Sequence, residues 1–183
     1  MILAIDTSMG TAVALVDEDG TVVAERSDLG TRAHAELIGL FLDGVLGTAP
    51  RPGEITAVGV GMGPGPYTGL RVGIAAARAA AIGLGVPVVG VASHDAIREE
   101  LGLGPEVAVA TPAGRRGYYR SVDGRTELTH DDPDDAVRPE RVDPVALARV
   151  ALRHIADGAA GPTEPLYLRE PDVAAPARPK RVS

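Results

Sequence analysis

The order of the predicted elements is the feature that most constrains the fold of this chain. Three short strands come first: "MILAID", "TAVALV" and "TVVAERS" are strand-like runs, and the Asp-Gly pair between the last two is a hairpin signal. Helices and strands then alternate, with helices over about residues 33–46 and 67–84, strands over 54–61 and 87–92, and a short helix capped by Ser93. This order predicts a mixed α/β sheet with helices packed on it, the ribonuclease-H-like layout.

The character of the chain changes near residue 105. Residues 1–104 predict one full ribonuclease-H-like lobe, and residues 105–183 predict a reduced second lobe with a Pro-rich C-terminal tail. In the second part, "EVAVAT" predicts a strand, and "GYYRSV" and "RTELT" flank an Asp-Gly turn as a second hairpin. A helix is predicted between Asp143, as its N-cap, and Gly158. The tail from Gly161 ends in the basic stretch "ARPKRV".

Composition and charge argue against several classes of protein. The 183 residues carry a formal net charge of −7, so we do not expect this chain to bind nucleic acid independently. There is no cysteine, which excludes disulfides and thiolate chemistry and favours the cytoplasm. We expect no signal peptide, because "MILAID" lacks a basic region and a cleavage site. The longest apolar run, residues 79–92, is too short to span a membrane.

The stretch "GMGPGPYTGLRVG" at residues 61–73 raises the question of phosphate binding. A Walker P-loop needs Gly-Lys-Ser/Thr at the start of the helix, and this chain has "GLR" there. A dinucleotide fingerprint is disfavoured because Pro64 and Pro66 lack amide hydrogens. The free amides of residues 67–69, at a helix N-terminus, still favour an anion. Ligand contact and a plain tight turn therefore both stay open.

The helix that follows is depleted of large side chains on one face. Small residues recur every four positions, at Gly69, Gly73, Ala77 and Ala81, and Ala76 and Ala80 lie beside them. Glycine costs up to about 1 kcal/mol per helical position relative to alanine, so a close approach of another backbone is expected to offset it. That backbone can belong to the chain's own sheet or to a second subunit, and both remain possible.

Two further sets of residues are candidates for chemistry. Asp6, Thr7 and Ser8 follow the first strand, where actin-like ATPases and sugar kinases place an acid that holds Mg²⁺-bound water. Those enzymes need a matching acid-and-glycine turn in a second lobe, and none is found after residue 105; an ordinary turn acid is at least equally consistent. No histidine pair has ligand spacing and no G-x-S-x-G is present, so we expect neither a metal site nor a serine hydrolase.

Taken together, "ILAIDTS", "HAEL", "GVGMGPGPYTGLRVGIAAARAAA" and "PVVGVAS" closely resemble the TsaB (YeaZ) family, with weaker similarity in "GRRGYY" and "PLYLREPD". The resemblance implies an actin-like (ASKHA) fold related to that of the catalytic subunit TsaD. In TsaD the corresponding segment carries the metal-binding pattern His-x-x-x-His, whereas this chain has His94 followed by Arg98. The resemblance therefore implies a pseudo-enzyme without a metal site of its own.

The function implied by the resemblance is that of a non-catalytic dimerisation or scaffold subunit. It would bind and activate TsaD, with the ATPase TsaE, in the complex that makes N6-threonylcarbamoyladenosine at position 37 of tRNAs reading ANN codons. The chain alone would form a homodimer; ATP or ADP and metal would bind only in the complex, and tRNA only indirectly. The alternatives are a self-sufficient actin-like ATPase or kinase, or a metallopeptidase-like enzyme.

Two groups of residues are candidates for these roles, and none is assigned to catalysis. The partner or dimer interface is predicted at Leu37, Leu40, Phe41, Gly69, Gly73, Ala76, Ala77 and Ala80. Contacts to nucleotide or to interface loops are predicted at Asp6, Thr7, Ser8, His34, Gly63, Gly65, Thr68 and Arg71. We further expect Gly73→Leu to abolish pairing with TsaD while the chain stays folded.

Overall fold

The structure is a computed structural model that describes residues 1–30, 33–48 and 52–168. Its main sheet has five strands in the spatial order β3-β2-β1-β4-β5. The strands are β1 (Ile2–Asp6), β2 (Thr11–Val16), β3 (Val22–Asp28), β4 (Ala57–Gly61) and β5 (Val88–Val91). β1 pairs antiparallel with β2 and parallel with β4, so the sheet is mixed, as the order of elements predicted.

Helices cover both faces of this sheet. α1 (His34–Leu46) and α2 (Tyr67–Leu84) cover one face; α3 (Ser93–Leu101) and α4 (Pro144–Asp157) cover the other. Successive side chains of a strand point to opposite faces, so Leu3 and Ile5 of β1 join the α1–α2 core while Ile2 and Ala4 join the α3–α4 core. Two-sided burial explains why "MILAID" reads as a continuous apolar run rather than an alternating one.

The fold class is confirmed, and most element boundaries agree with the sequence. α2 begins at Tyr67 and ends before Gly85, whose left-handed conformation terminates the helix. The prediction that Ser93 caps α3 is wrong: Ala92 is the N-cap, and Ser93 is the first residue of the helix. The Ser93 hydroxyl makes tertiary hydrogen bonds instead, as described below.

The residues after 105 build a second, smaller sheet and one long helix. β6 (Val109–Pro112), β7 (Tyr118–Val122) and β8 (Arg125–Thr129) form an antiparallel sheet in the order β6-β7-β8. Single turns of 3₁₀ helix lie at Pro52–Glu54 and Gly114–Arg116. As expected, Asp143 is the N-cap of α4, and its carboxylate accepts a hydrogen bond from the Val145 amide.

α4 packs across the first sheet although it comes late in the chain. Leu147 and Ala151 lie over Gly59 of β4, where an added Cβ would be 3.1 Å from the Ala151 Cβ. The division of the chain at residue 104 stays a prediction. The tail was predicted from Gly161 onwards, and its part beyond residue 168 lies outside the described residues. No helix in the described ranges is long and apolar enough to cross a membrane.

Candidate functional site

The loop after β1, the Gly-Pro loop and the start of α3 are tied together by the carboxylate of Asp6. Asp6 Oδ1 accepts hydrogen bonds from the Ser8 amide and the Ser8 hydroxyl, both at 2.7 Å. Its Oδ2 accepts one from the Ser93 hydroxyl at 2.6 Å, and Ser93 Oγ in turn accepts from the Gly63 amide at 3.2 Å. Three segments that are distant in sequence therefore converge on one buried acid.

The Asp6 side chain is buried, and the groups that surround it belong to the protein. Burial raises the pKa of Asp6 above its ordinary value, and the hydrogen bonds from Ser93 and Ser8 together with the nearby His34 act in the opposite direction. Both carboxylate oxygens are engaged by protein donors, and Gly61 leaves no room for a side chain beside them. Asp6 therefore links the loop after β1, the Gly-Pro loop and the start of α3 through hydrogen bonds.

Thr7 joins the same loop to α2. Its hydroxyl donates to the Gly69 carbonyl at 2.8 Å and accepts from the Gly73 amide at 3.2 Å. A Cβ at Gly73 would lie 3.1 Å from Thr7 Cβ, and one at Gly69 would lie 2.7 Å from the Thr7 carbonyl oxygen. These glycines let the chain's own loop approach the helix. A leucine at Gly73 would press on Thr7, so this close contact weighs against the expectation that Gly73→Leu leaves the chain folded, which stays a prediction.

The predicted interface residues are split between the interior and the surface. Gly69, Gly73 and Ala77 are buried against the chain's own sheet and loop. Ala76 and Ala80 of α2 and Leu37 and Phe41 of α1 are partly exposed, while Leu40 of α1 is 68% exposed. Burial within the chain accounts for the small-residue stripe seen in the sequence; binding of a partner to the accessible members stays a prediction.

The outer surface of the two helices combines small and aliphatic residues with four charged ones. We call it the docking face and define it by the exposed residues of α1 and α2: Ala35, Glu36, Gly39, Leu40, Asp43, Thr68, Arg71, Ala75, Arg78, Ala79, Ile82 and Gly83. Ile82 is 83% exposed, so its side chain is almost fully in solvent, as is most of Leu40. Sequence reasoning missed Ala75, Ala79 and Ile82, although their spacing of three and four residues marks one helical face.

The remaining predicted contact residues lie around the N-terminus of α2. His34 is buried beside Gly69, and its Nδ1 is 2.9 Å from the Thr11 hydroxyl. Gly63 and Gly65 are buried, with Gly65 packed against Ser8. Thr68 and Arg71 are exposed.

Arg71 and two tyrosines form a small cluster at the same end of α2. The Arg71 guanidinium lies 5.3 Å from the Tyr67 ring centroid and donates to its hydroxyl. The Tyr167 ring contacts the Tyr67 ring at a tilt of 47°, with the two centroids 4.8 Å apart. The "LYL" stretch of the tail therefore reaches the start of α2.

His94 and Arg98 connect α3 to the second sheet. His94 Nδ1 is 2.6 Å from the Ser121 hydroxyl, and its Nε2 is 2.9 Å from the Thr111 hydroxyl. Arg98 donates to the carbonyls of Ser121, at 2.7 Å, and Val107, at 3.3 Å. Burial, and then the Arg98 charge, lower the pKa of His94 to about 3. Neither hydroxyl partner was predictable, because each comes from a strand 17 to 27 residues away.

Within the described part of the chain, no group of three or more His, Asp or Glu side chains could hold a metal ion. The imidazole of His94 has both ring nitrogens committed to protein hydroxyls. A ligating histidine needs one ring nitrogen free for the metal. Arg98, at the second position of the pattern, adds a positive charge beside it.

Comparison with known proteins identifies similarity at two levels. The sequence profile of the family described as TsaD: tRNA N6-adenosine threonylcarbamoyltransferase matches residues 21–160. A solved structure described as an uncharacterized protein with similarity to peptidase YEAZ from Pseudomonas aeruginosa is 21% identical, with a TM-score of 0.68 over 92% of this chain and 99% of that one. YeaZ from Pseudomonas aeruginosa is also 21% identical, with a TM-score of 0.65 over 91% and 99%. At this identity both structures establish the fold alone. A search of curated proteins gave no significant match.

Proposed function

The chain belongs to the TsaD family of tRNA N6-adenosine threonylcarbamoyltransferases, and we propose that within it the chain is a non-catalytic docking subunit. Family membership and the YeaZ-like fold support a role in forming N6-threonylcarbamoyladenosine in tRNA. The proposed partner is TsaD itself, bound at the docking face and activated there. We propose that the complex of this chain with TsaD forms in the cytoplasm. This complex, rather than the chain alone, then binds TsaE, ATP or ADP, metal and tRNA.

The proposal that this subunit is non-catalytic rests on the hydrogen bonds made by both ring nitrogens of His94. Both of its ring nitrogens are within 2.9 Å of a protein hydroxyl, so a metal would have to displace one of these hydrogen bonds. The residue four positions later is Arg98, a cation that repels a metal ion at close range. The Asp6 carboxylate is likewise satisfied by Ser8 and Ser93. These hydrogen bonds support a structural role for Asp6 and His94.

The proposal that TsaD binds the docking face is supported by the apolar side chains that α1 and α2 expose to solvent. Leu40 and Ile82 are more than two-thirds exposed, and five of the ten other residues of this face are Gly or Ala. Burying a large aliphatic side chain contributes about 1.5–3 kcal/mol, and small neighbours allow helix axes to approach within about 8–10 Å. A surface of this kind fits a partner that also presents helices.

Copurification of the chain with TsaD tests the docking proposal. We expect Leu40→Arg to abolish copurification, because it places a charge where apolar surface would be buried. Ile155→Arg is the matched control: Ile155 is 48% exposed on α4, which covers the opposite face of the sheet. TsaD retained equally by both variants would refute docking at this face.

Calorimetry on the isolated chain tests the non-catalytic part. We expect Mg-ATP to bind only after TsaD is added, since the Asp6 carboxylate is occupied by protein donors. ATP turnover by the purified chain, lost in Asp6→Ala, would instead establish the self-sufficient ATPase.

A further inference from the structure

The free side of β5 borders a cavity that the proposed function does not use. β5 is the last strand in the order β3-β2-β1-β4-β5, so one of its sides has no neighbouring strand. A cavity of about 340 Å³ lies there, lined by β5, by Met62, by Arg78 of α2 and by residues 159–163, which follow α4. We call it the edge cavity. At about 30 Å³ for each water molecule, it has the volume of about eleven waters.

Backbone groups of β5 face the edge cavity without a hydrogen-bonding partner. The Pro87 carbonyl accepts a hydrogen bond from the Val58 amide of β4 at 2.9 Å. Backbone groups alternate in direction along a strand, so those of Val88 and Gly90 point away from β4 and towards the free side. Within the described ranges, no backbone hydrogen bond reaches these outward groups. Gly90 is buried, and buried backbone groups are almost always paired, so the cavity is the place for a missing partner.

Residues 161 and 162 approach β5 at one point and leave the rest of its free side open. A Cβ on Gly161 would overlap the Gly90 carbonyl oxygen, and a Cβ on Gly90 would overlap the Pro162 carbonyl oxygen. The Gly90 carbonyl is therefore covered by this segment. The Val88 carbonyl and the Gly90 amide remain, as one acceptor and one donor on either side of Val89. In a parallel ladder, such a pair bonds the N–H and the C=O of a single facing residue.

The charge and the walls of the edge cavity indicate the chemistry of its ligand. Among the described residues that line it, Arg78 is the only charged one. Arg78 forms no ion pair within the described ranges. One unpaired guanidinium without an acid beside it fits a carboxylate monoanion better than a zwitterion. The side chains of the walls are mostly aliphatic: Met62, Val88, Val89, Ala160 and Pro162.

We propose that the edge cavity binds an N-acylamino acid with a small aliphatic side chain. The amide N–H of the ligand donates to the Val88 carbonyl, and the Gly90 amide donates to a carboxylate oxygen of the ligand. The Arg78 guanidinium binds the same carboxylate, and the aliphatic side chain packs against the apolar walls. The inference concerns the isolated chain and does not rest on the proposed function.

NMR titration of the ¹⁵N-labelled chain with N-acetyl-L-valine tests the site. We expect saturable shifts of the Gly90 amide and of the Val89 amide, whose peptide group contains the Val88 carbonyl. For a ligand with so few atoms, we expect a Kd on the order of 1 mM. N-acetyl-L-valinamide lacks the carboxylate and isovalerate lacks the amide, so each should bind about tenfold or more weakly than N-acetyl-L-valine.

Arg78→Gln tests the proposed carboxylate contact. This variant should bind N-acetyl-L-valine about as weakly as the parent chain binds N-acetyl-L-valinamide, because each combination lacks one half of the same ion pair. Arg71→Gln is the matched control, since Arg71 is an exposed arginine of the same helix that does not line the cavity, and it should bind like the parent. The spectra without ligand show whether both variants are folded.

Three results would each overturn the proposal: no saturable binding of N-acetyl-L-valine, shifts confined to residues outside the edge cavity, or equal affinity of the parent and Arg78→Gln. Equal binding of N-acetyl-L-valinamide and N-acetyl-L-valine would also contradict it, because the carboxylate would then contribute nothing. All of these measurements use the chain without TsaD. The proposed docking of TsaD therefore stands or falls on its own copurification test.

Discussion

Acid should weaken this protein through His94, and the effect can be isolated by one substitution. His94 is buried and hydrogen-bonded to Ser121 and Thr111, and its pKa is lowered to about 3 from an ordinary value of 6.5. The unfolded chain therefore binds a proton below about pH 6.5 that the folded chain does not bind until about pH 3. The free energy of unfolding contributed by neutral His94 is fully present above pH 6.5 and is lost as the pH falls through this window.

The size of the effect follows from the width of the window. At pH 4.5 the unfolded-state imidazole is two units below its pKa, and each unit corresponds to about 1.4 kcal/mol, so His94 contributes a loss of about 3 kcal/mol. His94→Gln cannot be protonated and has no such loss. At pH 7, however, it should be less stable than the parent by about 1–3 kcal/mol, because a buried hydroxyl loses its partner.

Urea unfolding at pH 7 and pH 4.5 measures the difference. We expect the stability gap between the parent and His94→Gln to shrink by about 3 kcal/mol between the two pH values, or to reverse. His130→Gln is the control, since His130 is exposed and lies outside this network. Other titrating groups, including Asp6 with its raised pKa, are common to all three proteins and cancel in the comparison. An unchanged gap would show that His94 is not buried in its neutral form.

Two further predictions concern stability. Gly73→Ala should destabilise the chain by about 1–3 kcal/mol, because the new Cβ would press on Thr7, whereas Gly83→Ala in the same helix should stabilise it by up to about 1 kcal/mol, since nothing lies within 4 Å. Thermal unfolding of the two variants compares them directly, and a shift of the same sign in both would contradict the packing described. Asp143→Ala should cost about 1 kcal/mol through the lost N-cap of α4, measured in urea; no change would mean that the cap is replaced by solvent.

Local patterns were sufficient to predict the elements of this fold. The strand boundaries of β1 and β2, the full extent of α2 and the cap of α4 follow from apolar runs, turn residues and helix signals. The position of α4 was not predictable. Its contacts with β1 and β4 join residues about 90 to 145 positions apart, and nothing in the helix sequence identifies which sheet it covers.

At the candidate site, too, local sequence predicts the helix but not which residues from distant parts of the chain contact it. α2 has small residues on two faces, one with Gly69 and Gly73 and one with Ala75, Ala79 and Gly83, so periodicity alone does not say which face points inward. The entry of Thr7 between Gly69 and Gly73 decides it. For the same reason the sequence predicts only a local capping role for Ser93: its partner Asp6 is 87 residues away.

The late position of α4 has a consequence for the biosynthesis of this protein. One face of the β1–β2 hairpin, with Ile2, Ala4 and Val16, is covered by α4, whose residues are made more than 120 positions later. At about 5–20 residues per second, that face waits on the order of 10 s after leaving the ribosome before its cover exists. A nascent chain arrested before residue 144 therefore carries a completed hairpin with an uncovered aliphatic surface, and is a substrate for chaperones or for aggregation until translation resumes.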